Sequence, residues 1–339
     1  MRFAFLLLAG IIVLPNTGLA REFSTYSQPI IAGSEGTKDT WPFVVAVVSD
    51  QQNENGARYV QLCTGSVIAP DLILTAAHCV FTKDNSGFRP SGTDEIKIIA
   101  GASNIDFLTR SSIDRVTSNG EDLSVSRITI HPSYNTPDPA GPFDLAVVQL
   151  ARDTSIQPAT LAPPGSCALN DLRNGSIVTA LGFGSNQTSS RTAGAGIFRE
   201  GSLRVIDPNF RTGTEFQAVG VAGGNTCAGD SGGPIVADSP EGPILIGVVS
   251  RELPRSGTGD LPEDISCGPA SSGLYGKTDI VWDFIEVNTG FSLLEETCQR
   301  TVTTGCSNGR NGETNSMWLL LVGLVLLSRR YGTSLYPCP

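Results

Sequence analysis

The chain has 339 residues, with 40% hydrophobic and 17% charged residues, 38 glycines and 21 prolines, a balance that supports a large turn-rich core and excludes a disordered chain. Its net charge of −10 is dispersed, with no Lys/Arg run and no basic-aromatic alternation, which removes nucleic acid from the candidate partners. Length alone leaves one double-barrel unit and two ordinary domains both open.

Arg2, the apolar run Phe3 to Leu14 and the small Gly18-Leu19-Ala20 predict a signal peptide over 1–20. A buried N-terminal helix fits poorly, because the run is short and ends in Pro15, Asn16 and Gly18. Export implies an oxidising compartment and a secreted or cell-surface location, so the eight cysteines read as disulfide candidates. The polar stretch 21–29, ending in Pro29, reads as a propeptide ahead of Ile30-Ile31-Ala32-Gly33. Strand-length apolar runs follow at Val44–Val48, Gln61–Ile68, Ile96–Ile99, Ile128–Ile130 and Leu145–Leu150, broken by Gly, Pro, Asn and Asp. A second set runs through Ile177–Leu181, Leu203–Ile206 and Ile244–Val249. The segment 151–175, rich in Pro, Ala and Asn, reads as the connection between two halves. Ile280, Val281, Phe284 and Ile285 form an apolar stripe that predicts a helix over Asp279–Val287 packed on a barrel.

Only two histidines are present, so an imidazole base is either His78 or His131. His78 ends an apolar run in Thr75-Ala76-Ala77-His78-Cys79, whereas His131 lies in the turn-like Ile130-His131-Pro132-Ser133-Tyr134 and reads as structural. Ser231 lies in Cys227-Ala228-Gly229-Asp230-Ser231-Gly232-Gly233-Pro234, where flanking glycines let the backbone turn tightly. The N–H groups of Gly229 and Ser231 can then point at one spot, as an oxyanion hole requires. Gly229-Asp230-Ser231-Gly232-Gly233 also satisfies the G-x-S-x-G elbow, but that fold places its histidine after the serine, and none follows His131. Asp144, in Phe143-Asp144-Leu145-Ala146-Val147-Val148, supplies a carboxylate at the mouth of an apolar strand, where it can hold the tautomer of an imidazole. Taken singly, each of these three motifs also reads as structural.

Together, Thr75 to Cys79, Asp144 to Val147 and Gly229 to Pro234 resemble the trypsin/chymotrypsin-like serine proteases in motif and order. Ile30 to Gly33 resembles that family's activation-site start, and the resemblance covers Ile30 to about Val287. It implies an all-β fold: two antiparallel six-stranded barrels, the site between them and a short C-terminal helix, within a protease domain over 30–290. It implies catalysis by His78, Asp144 and Ser231 without cofactor or metal, protein or peptide substrates, and protein inhibitors as candidate partners. It further implies a zymogen in which a freed Ile30 amine pairs with Asp230; Pro29 departs from the Arg or Lys that many relatives carry there, which argues against tryptic self-activation. The Cys63–Cys79 and Cys227–Cys267 bridges follow from the same resemblance, and Cys167–Cys298 is a candidate third. A C-x-x-C pair, which a metal site would favour, does not occur. The rival function is a protease-like binding module without activity; esterase-only activity has no sequence signature of its own.

The specificity pocket departs from the family pattern. By resemblance it is lined by Asn225, Ser250, Glu252 and Gly273. Asn225 stands where relatives that cut after Lys or Arg carry an aspartate, Gly273 should leave the rear open, and Ser250-Arg251-Glu252 replaces a serine-aromatic-glycine wall. Glu252 reads as a solvated loop carboxylate, with attraction of a basic side chain as the alternative. Beyond a polar linker over 291–316 that contains Cys306, the apolar segment 317–330 ends in Arg329-Arg330. As a helix its apolar part spans about 18 Å against a hydrocarbon core of roughly 30 Å, which suits transient membrane association or a sorting signal better than permanent anchoring. A tail over 331–339, containing Cys338, follows.

Overall fold

The computed structural model describes residues 30–289 except 31–33, 86, 135–141, 188–189, 191, 222–224, 241, 255–266 and 268–270. The predicted signal peptide, propeptide and C-terminal segments lie outside the described residues.

The first half consists of β1 (Val44–Gln52), β2 (Arg58–Ala69), β3 (Leu72–Thr75), β4 (Ile96–Ala100), β5 (Glu121–Leu123), β6 (Val125–Ile130) and β7 (Ala146–Leu150). They form one curled sheet in the order β5-β4-β1-β2-β3-β7-β6, antiparallel throughout. Val44-Val45-Ala46-Val47-Val48 is buried at every position, so β1 reads as a continuous apolar run where a strand with one wet face would alternate. The β1–β2 turn is closed by Asn53, whose Oδ1 accepts from the N–H groups of Asn55 and Ala57 at 3.0 and 2.9 Å. Gly56 takes the positive φ of 77° that this turn needs.

The second half consists of β8 (Ile177–Gly182), β9 (Arg199–Phe210), β10 (Glu215–Gly220), β11 (Pro234–Ser239), β12 (Gly242–Pro254) and β13 (Ser271–Lys277). Their order is β9-β8-β11-β12-β13-β10, and β10 pairs back onto β9, so these six strands close a barrel. The short strand Ser34–Glu35 adds outside β9. Phe216, Tyr275, Val205, Ile246 and Ile30 fill the interior. The segment between the halves contains a single-turn helix, Cys167–Asn170, capped by the Ser166 hydroxyl. After β13 the chain winds one 3₁₀ turn, Thr278–Val281, and then the helix Trp282–Thr289, three residues later than the apolar stripe alone predicts. Val281, Phe284 and Ile285 bury that stripe in the core of the first half.

Three features bring distant motifs together. Ala146 pairs with Thr75 in the β7–β3 ladder, and because the strands are antiparallel, Asp144 before β7 and His78 after β3 emerge at the same edge. Disulfides join Cys63 to Cys79 and Cys227 to Cys267. Cys167 is also disulfide-bonded; Cys298, the candidate partner from the sequence, lies outside the described residues.

Candidate active site

His78 sits in a single 3₁₀ turn, Ala77–Val80, at the end of β3, with 12% of its side chain exposed. Asp144 is buried, its side chain 1% exposed. Its Oδ1 accepts from the His78 backbone N–H at 2.9 Å, and its Oδ2 from Nδ1 at 2.7 Å and from the Ser250 hydroxyl at 2.7 Å. Burial pushes this carboxyl upward, but the His78 charge and these hydrogen bonds outweigh it and hold the group below the usual aspartate range. An ionised carboxylate can only accept, so Nδ1 carries a proton, and when the ring is neutral Nε2 is left as the acceptor.

The backbone aims Asp144. Phe143, the residue before it, has φ 63°, a left-handed conformation that costs a bulky residue about 1–3 kcal/mol. The Phe143 ring is held there by stacking on His131, with centroids 4.8 Å apart, and His131 also packs against Phe284 of the C-terminal helix. Burial depresses the His131 pKa. This histidine is a structural neighbour of the site.

Ser231 lies in a loop pressed onto β2 and β3. Its carbonyl accepts from the Thr64 N–H at 2.8 Å, and the carbonyl of Gly229 accepts from the Thr64 hydroxyl at 2.8 Å. Thr75, three residues before His78, donates its own hydroxyl to the Thr64 carbonyl at 2.8 Å. A Cβ at Gly232 would lie 2.1 Å from Thr75 Oγ1 and 2.9 Å from Ala76 N, so only glycine fits between the serine loop and the strand leading to His78. Among the described residues no hydrogen bond closes between Ser231 Oγ and His78 Nε2; such bonds are commonly longer in free enzymes than with substrate bound. Nor does the N–H of Gly229 or Ser231 donate to another described residue, while those of Asp230, Gly232 and Gly233 are used to fold the loop. Gly229 adopts φ 101°, a conformation that glycine takes at little cost.

The Asp230 side chain is fully buried. It accepts from the N–H groups of Gly184 at 2.7 Å and Cys227 at 2.8 Å, and glycines 182 and 184 are required around it, since a Cβ at either would lie within 2.4 Å of the carboxylate. Burial raises its pKa to about 7, against the lowering effect of those amides and of the Arg199 charge. Ile30 is buried in the apolar interior of the same barrel.

The residues expected to line a substrate pocket fall into two groups. Asn225 is buried, donating to the Ser271 hydroxyl at 2.9 Å and accepting from the Thr226 N–H at 3.0 Å; the Thr226 and Tyr275 hydroxyls are 3.2 Å apart. A Cβ at Gly273 would lie 2.0 Å from the Tyr275 hydroxyl, so the space expected to stand open behind this glycine holds a phenol. Glu252 is not a solvated loop residue. It belongs to β12 opposite Gly273, its carboxylate oxygens are shielded from solvent, and its charge adds to burial, the main cause, in raising the Tyr275 pKa. Ser250 turns its hydroxyl to Asp144 and so belongs to the histidine-aspartate pair. Cys63, His78 and Cys79 place their donor atoms within 4.8 Å of one another, but the two sulfurs are joined as a disulfide and offer no thiolate to a metal.

Sequence patterns do not point to Thr64, nor to Glu215, whose carboxylate takes both ends of the Arg251 guanidinium at 2.7 and 2.9 Å. Each is tied to the site by a partner far along the chain, and only the glycines around Ser231 hint that a strand must press close.

A closed six-stranded barrel beside a curled β-sheet, carrying a hydrogen-bonded histidine-aspartate pair and a glycine-flanked serine, is the arrangement of the serine protease class. The model of the Trypsin family matches residues 30–263, and the chain belongs to that family. It is 29% identical over 263 residues to CLIP domain-containing serine protease B4 of Anopheles gambiae, covering 73% of this chain and 68% of that one. It is 25% identical over 245 residues to chymotrypsin-like elastase family member 1 of Felis catus, covering 68% of this chain and 81% of the relative.

Proposed function

We propose that the chain is an exported serine endopeptidase, made as a zymogen, that hydrolyses peptide bonds through an acyl-enzyme on Ser231. His78 Nε2 takes the Ser231 proton and returns it to the leaving amine, while Asp144 fixes the Nδ1–H tautomer and stabilises the imidazolium. The N–H groups of Gly229 and Ser231 receive the negative charge that develops on the carbonyl oxygen. Water then repeats the sequence on the acyl-enzyme, so the protein's own residues suffice. The observation that carries this reading is the double grip of buried Asp144 on both the backbone N–H and Nδ1 of His78, which fixes the ring with Nε2 as the acceptor.

Activation rests on Asp230. A carboxyl buried with a pKa of about 7 gains strongly from a nearby cation, and cleavage after Pro29 supplies one in the amine of Ile30. Pairing the two fixes the Gly229–Ser231 turn. The signal peptide and the disulfides favour a secreted or cell-surface location, and the 317–330 segment serves transient membrane association before release or surface attachment. Protein beginning at Ile30, incubated with a mixed peptide library and read by mass spectrometry, yields cleavages that the Ser231→Ala variant does not. Folded protein with a free Ile30 amine that cuts nothing would refute the reading in favour of an inactive binding module.

A further inference from the structure

The pairing of β12 with β13 slips at one point: Val249 faces Tyr275, and Arg251 faces Leu274. Ser250 is the extra residue of this bulge, and bulges re-aim the side chains around them. The Ser250 hydroxyl reaches Asp144 Oδ2 at 2.7 Å. Arg251 Nη1 comes back to the same hydroxyl oxygen at 3.2 Å, while its guanidinium lies in a bidentate fork on Glu215. Arg251 and Glu215 are 6% and 2% exposed at their side chains, so the pair is withdrawn from solvent.

Donor and acceptor chemistry gives this arrangement a direction. A guanidinium only donates and a carboxylate only accepts, whereas a hydroxyl has one proton and can accept as well. Because Arg251 occupies a lone pair of Ser250 Oγ and can take no proton from it, the Ser250 proton is committed to Asp144. The N–H···O contact also polarises the hydroxyl and strengthens its bond onward. Glu215, the first residue of β10, holds the fork in place and balances its charge. A buried ion pair of this kind is often replaceable by apolar residues without loss of stability, so stability alone does not account for it.

We propose that Arg251, held by Glu215, is a positioning residue of the hydrolytic site: it sets the direction of the Ser250 hydroxyl and, through it, the hydrogen bonding of Asp144 to His78. The role rests on the peptidase reading above. It makes Glu215, Arg251, Ser250, Asp144 and His78 one hydrogen-bonded line from the barrel interior to the catalytic imidazole.

The test compares four proteins beginning at Ile30: the wild type, Ser250→Ala, the double variant Arg251→Met with Glu215→Leu, and the triple combination. The double variant removes both members of the buried ion pair together, and its fold is checked by thermal unfolding. The readouts are kcat and KM for 4-nitrophenyl acetate and the pH profile of kcat/KM. Ser250→Ala and the double variant are each expected to lower kcat roughly tenfold with KM unchanged, the rate equivalent of about one hydrogen bond. The triple variant should lose no more than either, because both act through one hydroxyl. The acidic limb of the profile should move to higher pH in all three, since Asp144 with one donor fewer is more basic and stabilises the imidazolium better. A folded double variant with wild-type kcat, or losses that multiply to roughly a hundredfold in the triple variant, would overturn the proposal and leave the peptidase reading standing. A wild type that neither hydrolyses the ester nor reacts with a fluorophosphonate would overturn both.

Discussion

Thr64 ties the serine loop to the strand that leads to His78, and replacing it with valine isolates that function. The side chain is fully buried; its hydroxyl donates to the Gly229 carbonyl at 2.8 Å and accepts from the Phe183 N–H at 3.2 Å. Valine keeps the shape and deletes both bonds, leaving a buried carbonyl and a buried amide without them. At about 1–3 kcal/mol for each orphaned group, the loss is roughly 2–6 kcal/mol. For a domain of this size that lowers the melting temperature by roughly 4–24 °C. Freeing the Gly229 carbonyl also loosens the residue whose N–H the proposed oxyanion hole uses, so Ser231 should acylate more slowly. Thermal unfolding and the rate of fluorophosphonate labelling measure the two effects, with Thr64→Ser as the control that keeps the hydroxyl and loses about 1 kcal/mol of methyl burial. A valine variant that melts within about 2 °C of the parent and labels at the parent rate would refute the clamp.

Asp230 makes stability depend on pH in the uncleaved chain. Its folded pKa, raised to about 7, lies above its unfolded value of about 4, so the stabilisation is full below about pH 4 and is lost as pH rises through 7, by on the order of 4 kcal/mol. Urea titrations should find that slope reduced in Asp230→Asn; the same slope in both proteins would contradict it. His131 contributes with the opposite sign: its depressed pKa means that acid below about pH 6.5 protonates the unfolded chain preferentially, so His131→Phe should flatten the acid side of the same curve. A Cβ at Gly184 would lie 2.4 Å from Asp230 Cγ, so Gly184→Ala should destabilise by more than about 3 kcal/mol, visible as loss of cooperative unfolding. Asp144→Asn puts an amide where His78 needs a pure acceptor, and ester hydrolysis should fall by about 10⁴-fold while the melting temperature changes far less; an active variant would refute the tautomer argument.

What can be read from the sequence follows from where the information is stored. Apolar β-branched runs announce themselves, and those starting at Val44, Ile96 and Ile177 coincide with β1, β4 and β8. β13 is not legible, because Ser271-Ser272-Gly273 carries no alternation although every residue of the strand is buried; its environment comes from neighbouring strands on both sides. β10 begins with Glu215, a charge that argues against a core strand until Arg251, thirty-six positions on, neutralises it. Glu252 misleads for the same reason: sequence gives its charge, not the strand it belongs to. The motifs around His78, Asp144 and Ser231 are legible because each needs a local backbone shape built from adjacent residues. Thr64 and the Ser250 bulge are not, since their roles exist only across strands.

The central claim is that Ser231 is an activated nucleophile served by His78. Protein beginning at Ile30 is treated with a fluorophosphonate, digested and mapped by mass spectrometry, beside Ser231→Ala and His78→Ala. The account predicts one adduct, on Ser231, absent from the first variant and slowed in the second by at least about a hundredfold. An adduct elsewhere, or labelling of Ser231 that persists at full rate without His78, would contradict it.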